Sequence, residues 1–154
     1  MNRGRGFTII ELMVALVVVA ILAVVAAPAF GEYFAAQRVK SAAEELLTDL
    51  QFARMESVQK NADIRLTMNG TGYTITRGAA TVKTVTLGSG TTVSSGSTML
   101  VDFDEVRGTA SLTNGPSVTI ANAGTSRTLR VAVNTMGRVN ICSPSGSFKG
   151  YDAC

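Results

Sequence analysis

Residues 7–27 form an apolar run of 21 residues in which the only charge is Glu11. At about 1.5 Å of rise per residue a helix of that length spans roughly 30 Å, the hydrocarbon thickness of a bilayer. The six residues ahead of it, MNRGRG, are polar and carry Arg3 and Arg5. Positive charge before the span keeps a short N-terminus cytoplasmic and sends the remainder across the membrane. A compact soluble domain has no use for such a block, and the run is far too apolar for a disordered chain. A secretory signal peptide would have a shorter apolar core with a small-residue cleavage site behind it. Ala26-Ala27-Pro28-Ala29 imitates that site but sets Pro28 beside the cut. Neither a cleaved signal nor a plain anchor explains Glu11.

A carboxylate in hydrocarbon costs about 2.5–3.5 kcal/mol on insertion scales, so it needs a partner and a task. Cleavage between Gly6 and Phe7 would free an α-amino group able to neutralise Glu11 of a neighbouring subunit. Gly6-Phe7-Thr8-Ile9-Ile10-Glu11-Leu12 resembles the class III signal of type IV pilins and of the pseudopilins of type II secretion. The resemblance implies that a prepilin peptidase cuts after Gly6 and N-methylates Phe7. It also implies that Glu11 registers the subunit during assembly and that Pro28 kinks the helix.

Beyond Pro28 the apolar positions continue at spacings of three and four. Phe30 and Phe34 are followed by Val39, Ala42, Ala43, Leu46, Leu47, Leu50 and Ala53, the stripe of an amphipathic helix. Glu44, Glu45, Asp49, Arg54, Glu56 and Lys60 take the other positions, and Asn61 is the expected stop. Leu50-Gln51-Phe52-Ala53-Arg54-Met55-Glu56-Ser57-Val58-Gln59-Lys60-Asn61 resembles a segment of the branch that holds the FimT and FimU minor pilins and the H-type (GspH) pseudopilins. Two later stretches resemble turns of the same branch. They are Val101-Asp102-Phe103-Asp104-Glu105-Val106-Arg107-Gly108, in altered order, and Asn134-Thr135-Met136-Gly137-Arg138-Val139.

From Asp63 the texture changes to Thr, Val, Gly and Ser. The expected strands are 64–68, 73–77, 82–87, 99–103, 117–121, 128–133 and 138–142, several with period-two alternation. Asn69-Gly70, Asn114-Gly115 and Met136-Gly137 read as turns between them. Residues 88–98, rich in Gly, Ser and Thr, read as a loop.

Cys142 and Cys154 are the only cysteines. In an oxidising periplasm a disulfide is their default, and type IV pilins often end in a disulfide-bounded loop that forms a contact surface. The spacing suits neither a CxxC redox site nor a metal site.

No catalytic constellation is present. Histidine is absent, which removes the commonest general base and most zinc sites. No nucleophile elbow, P-loop or H-E-x-x-H occurs, and Ser89 between its two glycines has no evident base. Asp102, Asp104 and Glu105 have the alternation calcium favours, but further ligands are not visible and the group reads as a solvated turn. No metal, no cofactor and no enzymatic activity are expected.

Charge is uneven along the chain. Residues 106–154 carry Arg107, Arg127, Arg130, Arg138 and Lys149 against Asp152, so basic charge gathers in a region expected to face away from the membrane. FimT-like competence pilins resemble this chain and use a ‘G-R-x-R’ sequence. Gly137-Arg138-Val139-Asn140 keeps its first arginine and replaces the second with Asn140. Arg127, Arg130 and Lys149 would have to share a face with Arg138 to restore the phosphate contacts, and Phe148 and Tyr151 are the only nearby aromatics for stacking.

The expected architecture is α+β: a long N-terminal helix, half transmembrane and half amphipathic, packed on a C-terminal antiparallel β-sheet domain, the type IV pilin fold. Residues 1–6 form the leader, 7–30 the transmembrane and assembly helix, 31–62 the amphipathic half and 63–154 the β-rich periplasmic or extracellular domain. The expected function is that of a minor type IV pilin. The alternatives are an H-type pseudopilin of type II secretion and a competence pilin that binds DNA through Arg138, Arg127, Arg130 and Lys149. The partners implied are the prepilin peptidase, other major and minor pilins or pseudopilins along the N-terminal helix, the bacterial inner membrane and, on the last reading, DNA.

Overall fold

The computed structural model describes residues 7–94, 100–144, 146 and 148–154, without the side chains of Pro28, Ala29 and Ser94. Residues 1–6, with Gly6, lie outside the described residues, as does Met99 of the strand expected at 99–103.

One helix, α1 (Ile9–Lys60), accounts for the first third of the chain. Thr8 caps it in extended backbone, its hydroxyl accepting the Glu11 N–H at 3.3 Å. Asn61 ends it in the left-handed region at φ 52°, its N–H returning to the Ser57 carbonyl. Asparagine tolerates that conformation because its side chain bonds locally. The helix runs unbroken through Pro28 and Gly31.

Among the described residues nine strands follow: β1 (Ile64–Asn69), β2 (Gly72–Arg77), β3 (Ala80–Thr86), β4 (Thr91–Ser94), β5 (Leu100–Phe103), β6 (Ala110–Thr113), β7 (Ser117–Asn122), β8 (Thr125–Val133) and β9 (Val139–Cys142). They form two antiparallel sheets, in the orders β3-β2-β1-β5-β6 and β4-β7-β8-β9. Registers such as Leu66 opposite both Ile75 and Val101, and Val131 opposite both Val118 and Ile141, stack apolar side chains on one face of each sheet. Those faces and the second half of α1 enclose a single core. Ala36, Val39, Ala43, Leu46, Leu50 and Ala53 meet Ile64, Leu66, Tyr73, Val101 and Phe103 from one sheet and Val118, Ile120, Leu129 and Val131 from the other.

The helical stripe differs from the expected one at its start and at Asp49. Phe30 and Phe34 stay about 60% and 58% exposed, and burial against the sheets begins at Ala35. Asp49, expected on the outer face, is buried because Tyr73 and Lys83 supply its hydrogen bonds. Two strands depart from the expected set. β4 occupies part of the Gly/Ser/Thr stretch, where Thr91 and Val93 turn inward and pair along β7. β6 is a four-residue edge strand on β5. The turns at Asn69-Gly70, Asn114-Gly115 and Met136-Gly137 fall where expected, with Asn114 at φ 68° and Gly137 at φ 72°.

Candidate functional site

The two halves of α1 have opposite environments. From Phe7 to Val25 every large apolar side chain is open, from 49% exposure at Val18 to 83% at Phe7. This half is long and apolar enough to cross a membrane. An uncovered apolar surface of this size marks a membrane or protein contact. Glu11 sits in its first turn, where a carboxylate faces the positive end of the helix dipole. Thr8 and Glu11 stand at the Ser/Thr and Glu positions of a capping box, so sequence-local chemistry fixes where the helix begins and where the acid stands.

The second half of α1 carries the β domain at points spread along its length. Nearest the apolar half, the β7–β8 turn approaches so closely that a Cβ on Gly124 would lie 2.8 Å from the Ala35 Cβ. Arg127 reaches Glu32 at 3.8 Å, and Arg38 donates to the Ser89 carbonyl at 3.3 Å. The buried Asn122 amide joins these turns, donating to Ser89 O and Thr91 Oγ1 and accepting from Gly124 N–H. Gly88, Ser89 and Gly90 therefore form an anchored turn.

At the other end of α1 the three segments whose wording resembles the FimT/FimU branch meet. Arg54 Nε donates to the Gly108 carbonyl at 3.0 Å. A Cβ on Gly137 would lie 2.5 Å from that same carbonyl oxygen and 2.9 Å from Arg54 Nε, so Gly137 is needed for the approach. Ala110 N–H to Thr135 O at 3.0 Å ties the β5–β6 and β8–β9 turns together. Within them Asp104 Oδ1 accepts the N–H groups of Val106 and Arg107 at 3.0 and 2.7 Å, and Asn134 Oδ1 accepts that of Arg138 at 2.8 Å. The acidic group thus has structural tasks: Asp104 shapes its turn, and Asp102 pairs with Arg65 at 2.6 Å.

The C-terminus folds back on the helix. Cys142 and Cys154 are bonded, twelve residues apart. Inside the loop they close, Phe148 is buried in the core and Tyr151 donates to Glu44 Oε1 at 2.7 Å. Buried Ser143 organises the loop, taking the Phe148 N–H on its hydroxyl and pairing its N–H with Asp152 O. Burial, then the bond to Glu44, pushes the Tyr151 phenol up to about 12.

The four candidate DNA-binding cations are dispersed. Arg127 belongs to the end nearest the apolar half, Arg138 to the end at Gln51 and Met55. Glu32 and Arg54 are separated along α1 by roughly 30 Å. Arg130 alternates with buried Leu129 and Val131 and so lies on the outer face of its sheet, across from Cys142. Lys149 is exposed in the terminal loop, next to a Phe148 that is committed to the core. The basic charge of the last third is therefore not collected at the far end, because β8 carries it from one end of the domain to the other.

A helix with one open apolar half and one half clasped by two antiparallel sheets defines a pilin-like fold. The prokaryotic N-terminal methylation motif matches residues 1–27, and the family described as Type II transport protein GspH matches residues 42–137. That is well over half of the chain, and the chain belongs to the GspH family, whose members are structural pilin and pseudopilin subunits. Two crystal structures of the type IV minor pilin FimU from Pseudomonas aeruginosa share the fold. One is 23% identical with a TM-score of 0.53, covering 71% of this chain and 99% of that one. The other is 22% identical with a TM-score of 0.54, covering 73% and 96%. A fimbrial protein of Moraxella nonliquefaciens is 45% identical over 42 residues, and the match spans 27% of each chain.

Proposed function

We propose that this chain is a minor type IV pilin with a structural role and no catalysis of its own. The observation that carries the reading is the open apolar half of α1, which begins at Thr8-Glu11 inside the matched methylation motif. On this reading the precursor spans the bacterial inner membrane once, with its C-terminus periplasmic. Prepilin peptidase cuts between Gly6 and Phe7 and methylates Phe7. The freed α-amino group then neutralises Glu11 of an adjacent subunit, which removes the cost of carrying that carboxylate through hydrocarbon. Pro28, a residue that disrupts helix hydrogen bonding, supplies the flexible point between the packed apolar half and the β domain. The disulfide-bounded C-terminus supports a pilus over a secretion filament.

The test is mass spectrometry of the chain from membranes and from sheared filaments. The expected mature N-terminus is methylated Phe7. Gly6→Val leaves the precursor uncut, and Glu11→Ala gives a processed chain missing from filaments. A chain that keeps residues 1–6 beside an active peptidase, or a Glu11→Ala chain present in filaments at the wild-type level, overturns the proposal. Deletion is expected to remove surface pili while protein export continues; the reverse outcome selects the secretion filament.

A further inference from the structure

Four open apolar side chains surround the Arg54 junction. Met55 is 60% exposed, Val58 50%, Val106 72% and Met136 69%. They are held there. Val106 stands on the turn that Asp104 shapes, and Met136 on the turn that Asn134 closes, with Gly108 and Gly137 pressed against Arg54 beneath them. A groove of about 500 Å³ runs alongside, between Gln51 and Met55 on the helix and Arg138 to Asn140 on the sheet edge. Arg107 and Arg138 flank the patch, both exposed, and neither pairs with a carboxylate among the described residues.

We infer that this end of the β domain, the one farthest from the apolar half of α1, docks a different filament subunit that presents carboxylates around an apolar contact. The inference rests on the filament reading above and adds the surface and the chemistry of the partner. Rigid apolar knobs ringed by unpaired guanidiniums are the pattern of an interface centre with a charged rim. A second copy of this chain is the wrong complement. Stacked head to tail it would offer the turns at 88–90 and 123–127 with Arg127 and the neighbouring helix residue Arg38, and its nearby Glu32 is already paired with Arg127. Nucleic acid is also a poor occupant, because two guanidiniums give few phosphate contacts and Met55, Val58, Val106 and Met136 offer no ring for a base to stack on.

The experiment places a photo-crosslinking amino acid at position 136 in the full-length chain, expressed in its own bacterium, with sheared filaments analysed by mass spectrometry. The expected product joins position 136 to another pilin-type subunit at a segment containing Asp or Glu. Arg107→Glu with Arg138→Glu lowers its yield at least fivefold while chain abundance and the Cys142–Cys154 bond are unchanged. Adducts to the chain itself or to DNA, no adduct, or a yield indifferent to the double charge reversal each overturn the assignment. Absence of the chain from filaments defeats the filament reading itself, whereas its presence with any of those outcomes defeats only the docking surface.

Discussion

Tyr73 donates its hydroxyl proton to Asp49 at 2.6 Å, inside the interface between α1 and the five-stranded sheet. Lys83 completes the carboxylate's shell at 2.7 and 2.8 Å, with its own head part-exposed. Burial, then the bond to Asp49, pushes the Tyr73 phenol far above its ordinary range, and the bond to Asp49 likewise raises Lys83. Both folded groups therefore hold their protons more tightly than the unfolded chain does. Their contribution is complete below about pH 10, where an unfolded tyrosine titrates, and is lost as pH rises beyond it. The thermal midpoint of the full chain in detergent should be flat near neutrality and fall above about pH 10. In Tyr73→Phe that alkaline fall should shrink, and parallel curves for the two proteins would count against Tyr73 as its source. At pH 7 Asp49→Ala should cost about 1–3 kcal/mol, since it leaves the buried hydroxyl without an acceptor.

The distal junction predicts an order of severity. Arg54→Ala deletes a part-buried bond from a charged donor, worth about 1.5–3 kcal/mol. Arg54→Lys should not restore it, because the bond is made by Nε of a planar guanidinium. Gly137→Ala should be at least as damaging, combining strain at φ 72° with a Cβ driven into the Gly108 carbonyl. Urea midpoints rank the three, and a Gly137→Ala protein as stable as wild type would refute the close packing.

Gly124 and Ala35 should couple. Gly124→Ala alone should cost about 1–3 kcal/mol through overpacking at 2.8 Å. Ala35→Gly alone should cost up to about 1 kcal/mol through helix propensity. Together they should cost less than their sum by at least about 0.5 kcal/mol, and a double-mutant cycle that closes to zero would show that the turn moves away freely.

Reduction should open the C-terminal loop. In the chain-entropy view a ring of this size contributes about 3 kcal/mol. Lys149 should become a tryptic site in the reduced protein or in Cys154→Ser and resist in the oxidised protein. Equal cleavage rates in both redox forms would mean that Phe148 and Tyr151 hold the loop alone.

The features readable from sequence were those decided by neighbours in the chain. Thr8 and Glu11 sit three apart, Asn61 follows the last helical residue, and Asn-Gly and Met-Gly pairs mark tight turns. The burial of Asp49 was not readable, because its partners lie 24 and 34 residues away on two strands. β4 was hidden because Thr91–Ser94, although its Thr and Val residues favour strands, lies in a stretch otherwise rich in Gly and Ser and gains its pairing from β7. The placement of the basic residues misled for a geometric reason. Arg127 and Arg138 are close in the chain, yet the nine residues of β8 run roughly 30 Å between the ends of the domain.

The spread of helix contacts has a mechanical consequence. Gly124 on Ala35, Tyr151 on Glu44, Tyr73 on Asp49 and the Gly108 carbonyl on Arg54 are staggered along one rod. A pull along the axis of α1 loads all of these attachments in parallel, as shear, where a single hinge would let the sheets peel away contact by contact. A filament under tension can transmit force through this subunit's helix while the β domain stays seated on it.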